Sequence, residues 1–291
     1  IRNKFLDELN ILIDCKKVWK EVKLEQIIYI IQKGVKFEKY FSGIRDNQSI
    51  KIIANVDKSL IPKFGGVLLN SLTNQEIKIG AKIKEIKTML GNIGVNKWGD
   101  VFYKQINQDK KGFKVLGGNE IQRYYRRGIK GYIEEKYIKT EQSLIKPNSI
   151  LLQRIIAHIE NPVDHLKIAG TIFEDNNYKI VNTVHQLTLD KDVSNKYVLA
   201  IINSKFINWF VYRFVFAKAI RSFQFSGDVA RKIPIPKISE KEQKPFIENV
   251  NLMLKLNKEF YEKIDKFLEL LKHEYKLDKI GTKLNKFYNL D

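Results

Sequence analysis

The spacing of apolar residues shifts along this chain between helix-like and strand-like periods. Ile1, Phe5, Leu6 and Leu9 share one helical stripe and lead into ILIDCKKVW and EQIIYIIQKG, a β-rich run closed by Gly34. The pattern predicts helix, strand, turn, strand, with IKIIANV (50–56) as a further strand. FGGVLLNSL and the Lys-rich amphipathic segment EIKIGAKIKEIKTML follow, and the glycines and asparagines of GNIGVNKWGD read as punctuation. From about residue 98 to 190 come short apolar runs broken by turns: VFYKQI, GFKVLGG, GYIEEKYI, SILLQRIIAHI, HLKIAGTIF and YKIVNTVHQLTL. These predict short strands of a mixed or curled sheet.

SNKYVLAIINSKFINWFVYRF (194–214) carries apolar residues at helical spacing behind Ser194, a fitting N-cap, and predicts one helix. KIPIPKIS can continue neither a helix nor an internal strand, because Pro234 and Pro236 have no amide donor and a fixed φ. The stretch from Glu240 to Tyr275 then keeps an apolar residue every three to four positions for about ten turns. Pro245 is expected in the first turn of this helix, where proline is tolerated. Such length suits a strut or a helix packed on a partner.

Composition adds a partner class. Lys+Arg of 52 against Asp+Glu of 33 leaves a formal charge of +19, a field that attracts polyanions, and nucleic acid leads among them. An AT-rich genome, which inflates lysine, is the competing source of the same balance. The 44% hydrophobic content is enough for real cores. The single Cys15 excludes an internal disulfide and a Cys-based zinc cluster; in an apolar run it reads as a small buried thiol. No apolar stretch reaches the roughly 18 to 20 residues that span a bilayer, and no signal-peptide layout is present. A cytoplasmic protein without membrane association is expected. The first residue, Ile1 in place of Met, reads as the start of a fragment or as an engineered boundary.

Catalytic motifs are missing. An exocyclic-nitrogen methyltransferase needs an Asn/Asp/Ser-Pro-Pro-aromatic turn and a Gly-rich cofactor loop; Asn161-Pro162-Val163 lacks the second proline and the aromatic. Glu134, Glu135 and Lys136 read as a solvated charged turn and not as a nuclease centre. His158, His165, His185 and His273 have no metal-ligand spacing. No catalytic residue, metal ligand or cofactor is therefore assigned to this chain.

Binding features are present. IQRYYRRGIKGYI (121–133) interleaves Arg123, Arg126, Arg127 and Lys130 with Tyr124, Tyr125 and Tyr132. Arginine forks onto phosphate or guanine, and tyrosine donates or stacks. The alternative is a solvated basic loop over packed tyrosines. In AKAIRSFQFSGDVARKIPIP, Lys218, Arg221, Arg231 and Lys232 offer phosphate clamps and Gln224 a base-reading amide, with Phe223 and Phe225 in the core. Arg154 lies in an apolar run, where an unpaired guanidinium is costly, so it either pairs internally or faces a ligand groove.

The order VLGGNEIQRYYRRGIKGYI, PNSILLQRIIAHI, KIAGTIF, VNTVHQLTL, YVLAIINSKFINWF, RKIPIPKISEKEQKPFIENVNLML resembles the TaqI-like C-terminal specificity domain of type II and type IIG restriction-modification enzymes. That domain is a relative of type I target recognition domains. The first 35 residues resemble the last helix and strands of an amino-methyltransferase fold. The resemblance implies an α+β protein: a methyltransferase-like tail over 1–70, a mixed-sheet target recognition domain over 71–236 and a helical segment over 237–291. It implies sequence-specific binding of double-stranded DNA beside a methyltransferase or nuclease domain or subunit, with S-adenosylmethionine and Mg2+ belonging to that parent or partner. Two alternatives stand. One is a fragment of an active type II N6-adenine methyltransferase and endonuclease with catalytic residues outside the chain. The other is a protein-interaction module using the long basic helix.

Overall fold

The N-terminal strands join out of sequence order. In the computed structural model, which describes residues 5–19, 21–22, 24–157, 166–219, 221–285 and 287, the first sheet holds β1 (Leu9–Lys16), β2 (Gln26–Ile31), β3 (Lys39–Asp46) and β4 (Ser49–Asp57) in the order β2-β1-β3-β4. β1 and β3 are parallel, and the other pairs antiparallel. Alternation sends Leu12, Tyr40, Ala54 and Val56 into the core and Ile28, Ile30, Phe41, Ile50 and Ile52 to the outer face, where all five are exposed. The helix expected over residues 1–9 is cut short: residues 6–8 form a turn and Leu9 already begins β1. Pairing with the next strand captures the backbone there, as Gln32 donates to the Glu8 carbonyl at 3.0 Å. Residues 1–4 of that stripe lie outside the described residues. Cys15 is buried in β1.

Eleven short strands follow: β5 (Gly94–Trp98), β6 (Phe113–Leu116), β7 (Ile121–Gln122), β8 (Tyr125–Arg126), β9 (Gly131–Ile133), β10 (Ser149–Gln153), β11 (Ile155–Ala157), β12 (Gly170–Thr171), β13 (Tyr178–Ile180), β14 (Val184–Leu189) and β15 (Phe223–Gln224). They form sheets in the orders β12-β10-β14-β5 and β13-β6-β9, and the pairs β11-β15 and β7-β8. The molecule is thus a mixed α+β protein. Two local expectations change. GVNKW within the supposed punctuation is the edge strand β5, fixed by β14. VFYKQI is not a strand: Phe102 anchors a small core and Tyr103–Gln105 form a single 3-10 turn. A buried aromatic between two exposed residues, Val101 and Tyr103, imitates strand alternation over so short a window.

The helix expected over 194–214 breaks at Ser204 into Asn195–Asn203 and Lys205–Phe210, followed by a wider turn over Val211–Val215, with a bend of 56°. Ser204 caps the second piece, its Oγ accepting from Ile207 at 3.1 Å. The two asparagine side chains bind the neighbouring strand: Asn203 exchanges two bonds with Gly170, and Asn208 accepts from Ile168 at 2.7 Å. Among the described residues no single helix is long and apolar enough to cross a membrane; the bent pair passes that test only jointly. Its Val198, Leu199, Ile202, Phe210 and Phe214 lie in the main core. That core runs from Leu12 and Tyr40 through Phe64, Leu69 and Phe214 to Val250.

KIPIPKIS is extended and pairs with residues 88–90, since only alternate amides are needed: Ile235 donates to Thr88, and Leu90 donates to Ile233. Beyond it the long helix Glu240–Glu274 begins with a capping box of Ser239 and Glu242. Pro245 is its sixth residue, one turn later than expected, so the ladder lacks the bond from residue 245 to Lys241. The helix buries only Val250, Tyr261, Ile264 and Leu268. It is held by Phe246 edge-on to Tyr197, by Tyr125 stacked on Tyr261 at 4.8 Å, and by Arg127.

Candidate nucleic-acid interface

Arg154 sits where SILLQRIIA divides into two strands. Gln153 donates to Ala169 and Arg154 to Thr183, so the chain changes partners at this residue and leaves the guanidinium at the surface of the break. Its Nε donates to Gln224 Oε1 at 3.1 Å and its Nη1 to the Asn182 carbonyl at 3.2 Å, with the Trp98 ring 5.9 Å away. Internal pairing and exposure to a groove, stated as alternatives for this side chain, therefore occur together. Gln224 is exposed on β15 and Trp98 is 52% exposed on β5. Lys130 lies across a cleft of about 170 Å³ that also touches Asn119 and Thr183, its Nζ 4.3 Å from the exposed Tyr103 ring. Arginine, lysine, a primary amide and two exposed aromatics thus share one surface. This is a set that can grip phosphate, read a base edge and stack.

Beneath it, His185 is buried and edge-on to Trp98, and its Nδ1 accepts from Asn96 Nδ2 at 3.0 Å. Burial and then the charge of Arg154 push its pKa down from 6.5 to about 4. Because the folded value lies below the unfolded one, the unfolded chain binds the extra proton between these pH values. Stability therefore falls as pH drops through that window, by about 3 kcal/mol at most. Urea unfolding at pH 7 and pH 4.5 is expected to show a smaller loss in His185→Gln than in the wild type. Equal losses would contradict this origin.

The other predicted residues are dispersed. Arg123 donates to the Ile168 carbonyl at 3.2 Å and borders a second cleft with Lys167 and Lys205. Arg126 donates to the Gly128 carbonyl at 2.7 Å and lies over the Phe173 and Tyr178 rings. Arg127 pairs with Asp265 of the long helix at 2.7 Å and covers Tyr261. Lys218 donates to the Ser71 carbonyl at 2.9 Å; Arg221 is exposed; Arg231 pairs with Asp228; Lys232 lies near Gly65 and Lys84. Of the ten, Lys130, Arg154 and Gln224 come together. Trp98, Tyr103, Lys167 and Lys205 were not singled out from sequence, because single aromatics and lysines in this composition carry no local pattern. His158, His165 and Asn161-Pro162-Val163 lie outside the described residues. Among the described residues no group of three or more His, Cys, Asp or Glu could hold a metal. Lys136 pairs with Glu134 at 3.1 Å in an exposed turn.

Residues 239–291 match a family described as a domain of unknown function, DUF8810. No curated protein sequence matches significantly. Among solved structures, the chain is similar to the type IIG restriction endonuclease BpuSI, at 9% identity and a TM-score of 0.45 over 84% of this chain and 39% of that one. It is similar to the type I restriction-modification S subunit from M. genitalium, at 12% identity and a TM-score of 0.40 over 75% and 52%. The HsdS subunit from Thermoanaerobacter tengcongensis gives 11% identity and a TM-score of 0.36 over 63% and 44%. The chain spans about half or less of the length of each of these structures.

Proposed function

We propose that this chain is the DNA target recognition part of a restriction-modification protein, reading duplex DNA for a methyltransferase or nuclease domain that holds S-adenosylmethionine and Mg2+. The observation that carries the reading is the joined surface of Arg154, Gln224, Lys130, Trp98 and Tyr103. It offers direct readout and phosphate contact on a chain of formal charge +19. The ordered sequence resemblance over about residues 80 to 260 supports the same class. The uncovered apolar face of the first sheet, with Ile28, Ile30, Phe41, Ile50 and Ile52 exposed, supports a catalytic partner packed beside it.

Selection of the purified chain against random duplexes at moderate salt is expected to enrich one short site. Log affinity for that site should fall with log salt at about −0.9 per phosphate contacted. Absence of any duplex binding overturns the proposal. A second reading has its own observation: Phe246, Met253, Phe260 and Phe267 recur every seven residues along the long helix, with Leu256 between Met253 and Phe260 and Leu270 one turn beyond Phe267, all exposed. That seam has the period of a helix-pairing surface. As a pure interaction module the chain would show a concentration-dependent mass and no site enrichment.

A further inference from the structure

On the other side of β11 from Arg154 lies a cleft of about 530 Å³, bordered by Arg123, Lys167, Lys205 and Trp209. The backbone sets the placement. Lys167 donates to the Ile156 carbonyl at 2.8 Å on one edge of β11, and Ile155 pairs with Gln224 on the other. Two inter-strand steps of about 4.8 Å each therefore separate the Lys167 and Gln224 backbones.

The charge here is unbalanced. Arg213, which also borders the cleft, is neutralised by Glu76 at 2.7 Å. Among the described residues no carboxylate pairs with Arg123, Lys167 or Lys205. Burial, and then the proximity of Arg123, lower the Lys167 pKa, while burial alone lowers that of Arg123. Like charges gathered in a partly desolvated recess raise the free energy of the empty protein, and an anion relieves it. Asn208 is already committed to Ile168 and Ser204, so the recess offers an anion cationic donors and no competing side-chain acceptor from that residue.

We infer that this cleft is a seat for a phosphate group, gripped by the Arg123 guanidinium and the Lys167 and Lys205 ammonium groups, apart from the base-reading side chains across β11. The volume admits a whole nucleotide, so the phosphate can belong to the DNA backbone, in which case the inference rests on the DNA-recognition reading, or to a free nucleotide. Calorimetric titration of the full chain with deoxyadenosine 5′-monophosphate is expected to show saturable binding, and deoxyadenosine none. The double variant Lys167→Gln/Lys205→Gln should bind the monophosphate at least tenfold more weakly. These two side chains make no hydrogen bond among the described residues, so the variant should unfold at no lower temperature than the wild type, and relief of the like-charge crowding should raise the value. In parallel, the salt slope of duplex affinity is measured for both proteins. A slope shallower by about 0.9 in the variant assigns the phosphate to DNA. An unchanged slope with monophosphate binding lost assigns it to a free nucleotide. Monophosphate binding by a wild-type chain that binds no duplex would sink the DNA reading and leave the seat standing. Equal binding of nucleoside and nucleotide, undiminished binding by the variant, or no binding of the monophosphate together with an unchanged slope would overturn the inference.

Discussion

Replacing Arg154 by alanine is expected to weaken binding of the selected duplex about tenfold to a hundredfold and to relax preference at one base pair. A well-placed guanidinium contributes about 1–3 kcal/mol of discrimination against the wrong base. The present geometry preorganises it: Gln224 and the Asn182 carbonyl occupy Nε and Nη1 and fix the plane of the fork beside Trp98. Gln224→Ala should therefore cost affinity twice, through its own amide and by freeing the arginine, so the two substitutions should be non-additive. Arg127→Ala provides the contrast. Its guanidinium is spent on Asp265 and Tyr261, so this substitution should loosen the long helix while leaving base preference unchanged. Competition binding against single-base variants of the selected site distinguishes the cases. Loss of affinity with unchanged preference in Arg154→Ala would reduce that residue to a phosphate contact.

Local pattern carried the longest helix and the first strands. The helix Glu240–Glu274 is legible because it repeats its period for about ten turns, and the strands around Ile13, Ile28 and Ile52 because each is a run rich in β-branched residues. The break at Ser204 is not legible: Asn203 and Asn208 fit a continuous amphipathic helix, and only their bonds to Gly170 and Ile168, more than thirty residues away, decide otherwise. The candidate interface was visible in part for the same reason. Arg154 stood out because charge in an apolar run demands a partner. Trp98 and Tyr103 become binding groups only when β5 and β14 pair and when Lys130 comes over Tyr103, facts of tertiary register. Arg127 belongs to a basic run yet faces the long helix, because a helix 138 residues away in sequence supplies Asp265.

The largest effect on stability is expected where the helix Asn74–Ile83 meets the turn Val211–Val215. Phe214 is buried there, its ring 5.0 Å from that of Phe64, 5.4 Å from Phe210 and 5.6 Å from Trp209, and the tip of the ring, Cζ and Cε1, faces Gly80. Phe214→Ala removes a full aromatic side chain from a packed site and should cost about 3–5 kcal/mol in urea unfolding. Gly80→Ala should also destabilise, by about 1–3 kcal/mol, although alanine is the better helix former by about 1 kcal/mol. Its new Cβ would overlap the Phe214 ring, which three neighbouring rings hold in place. The two costs share one volume. With the ring gone, the methyl group enters the vacated space and the helix propensity gain remains, so Gly80→Ala in the Phe214→Ala background should be neutral or stabilising. A simple sum of the two single losses would mean that the ring moves aside for the methyl group, and that the close approach of helix and turn does not depend on glycine.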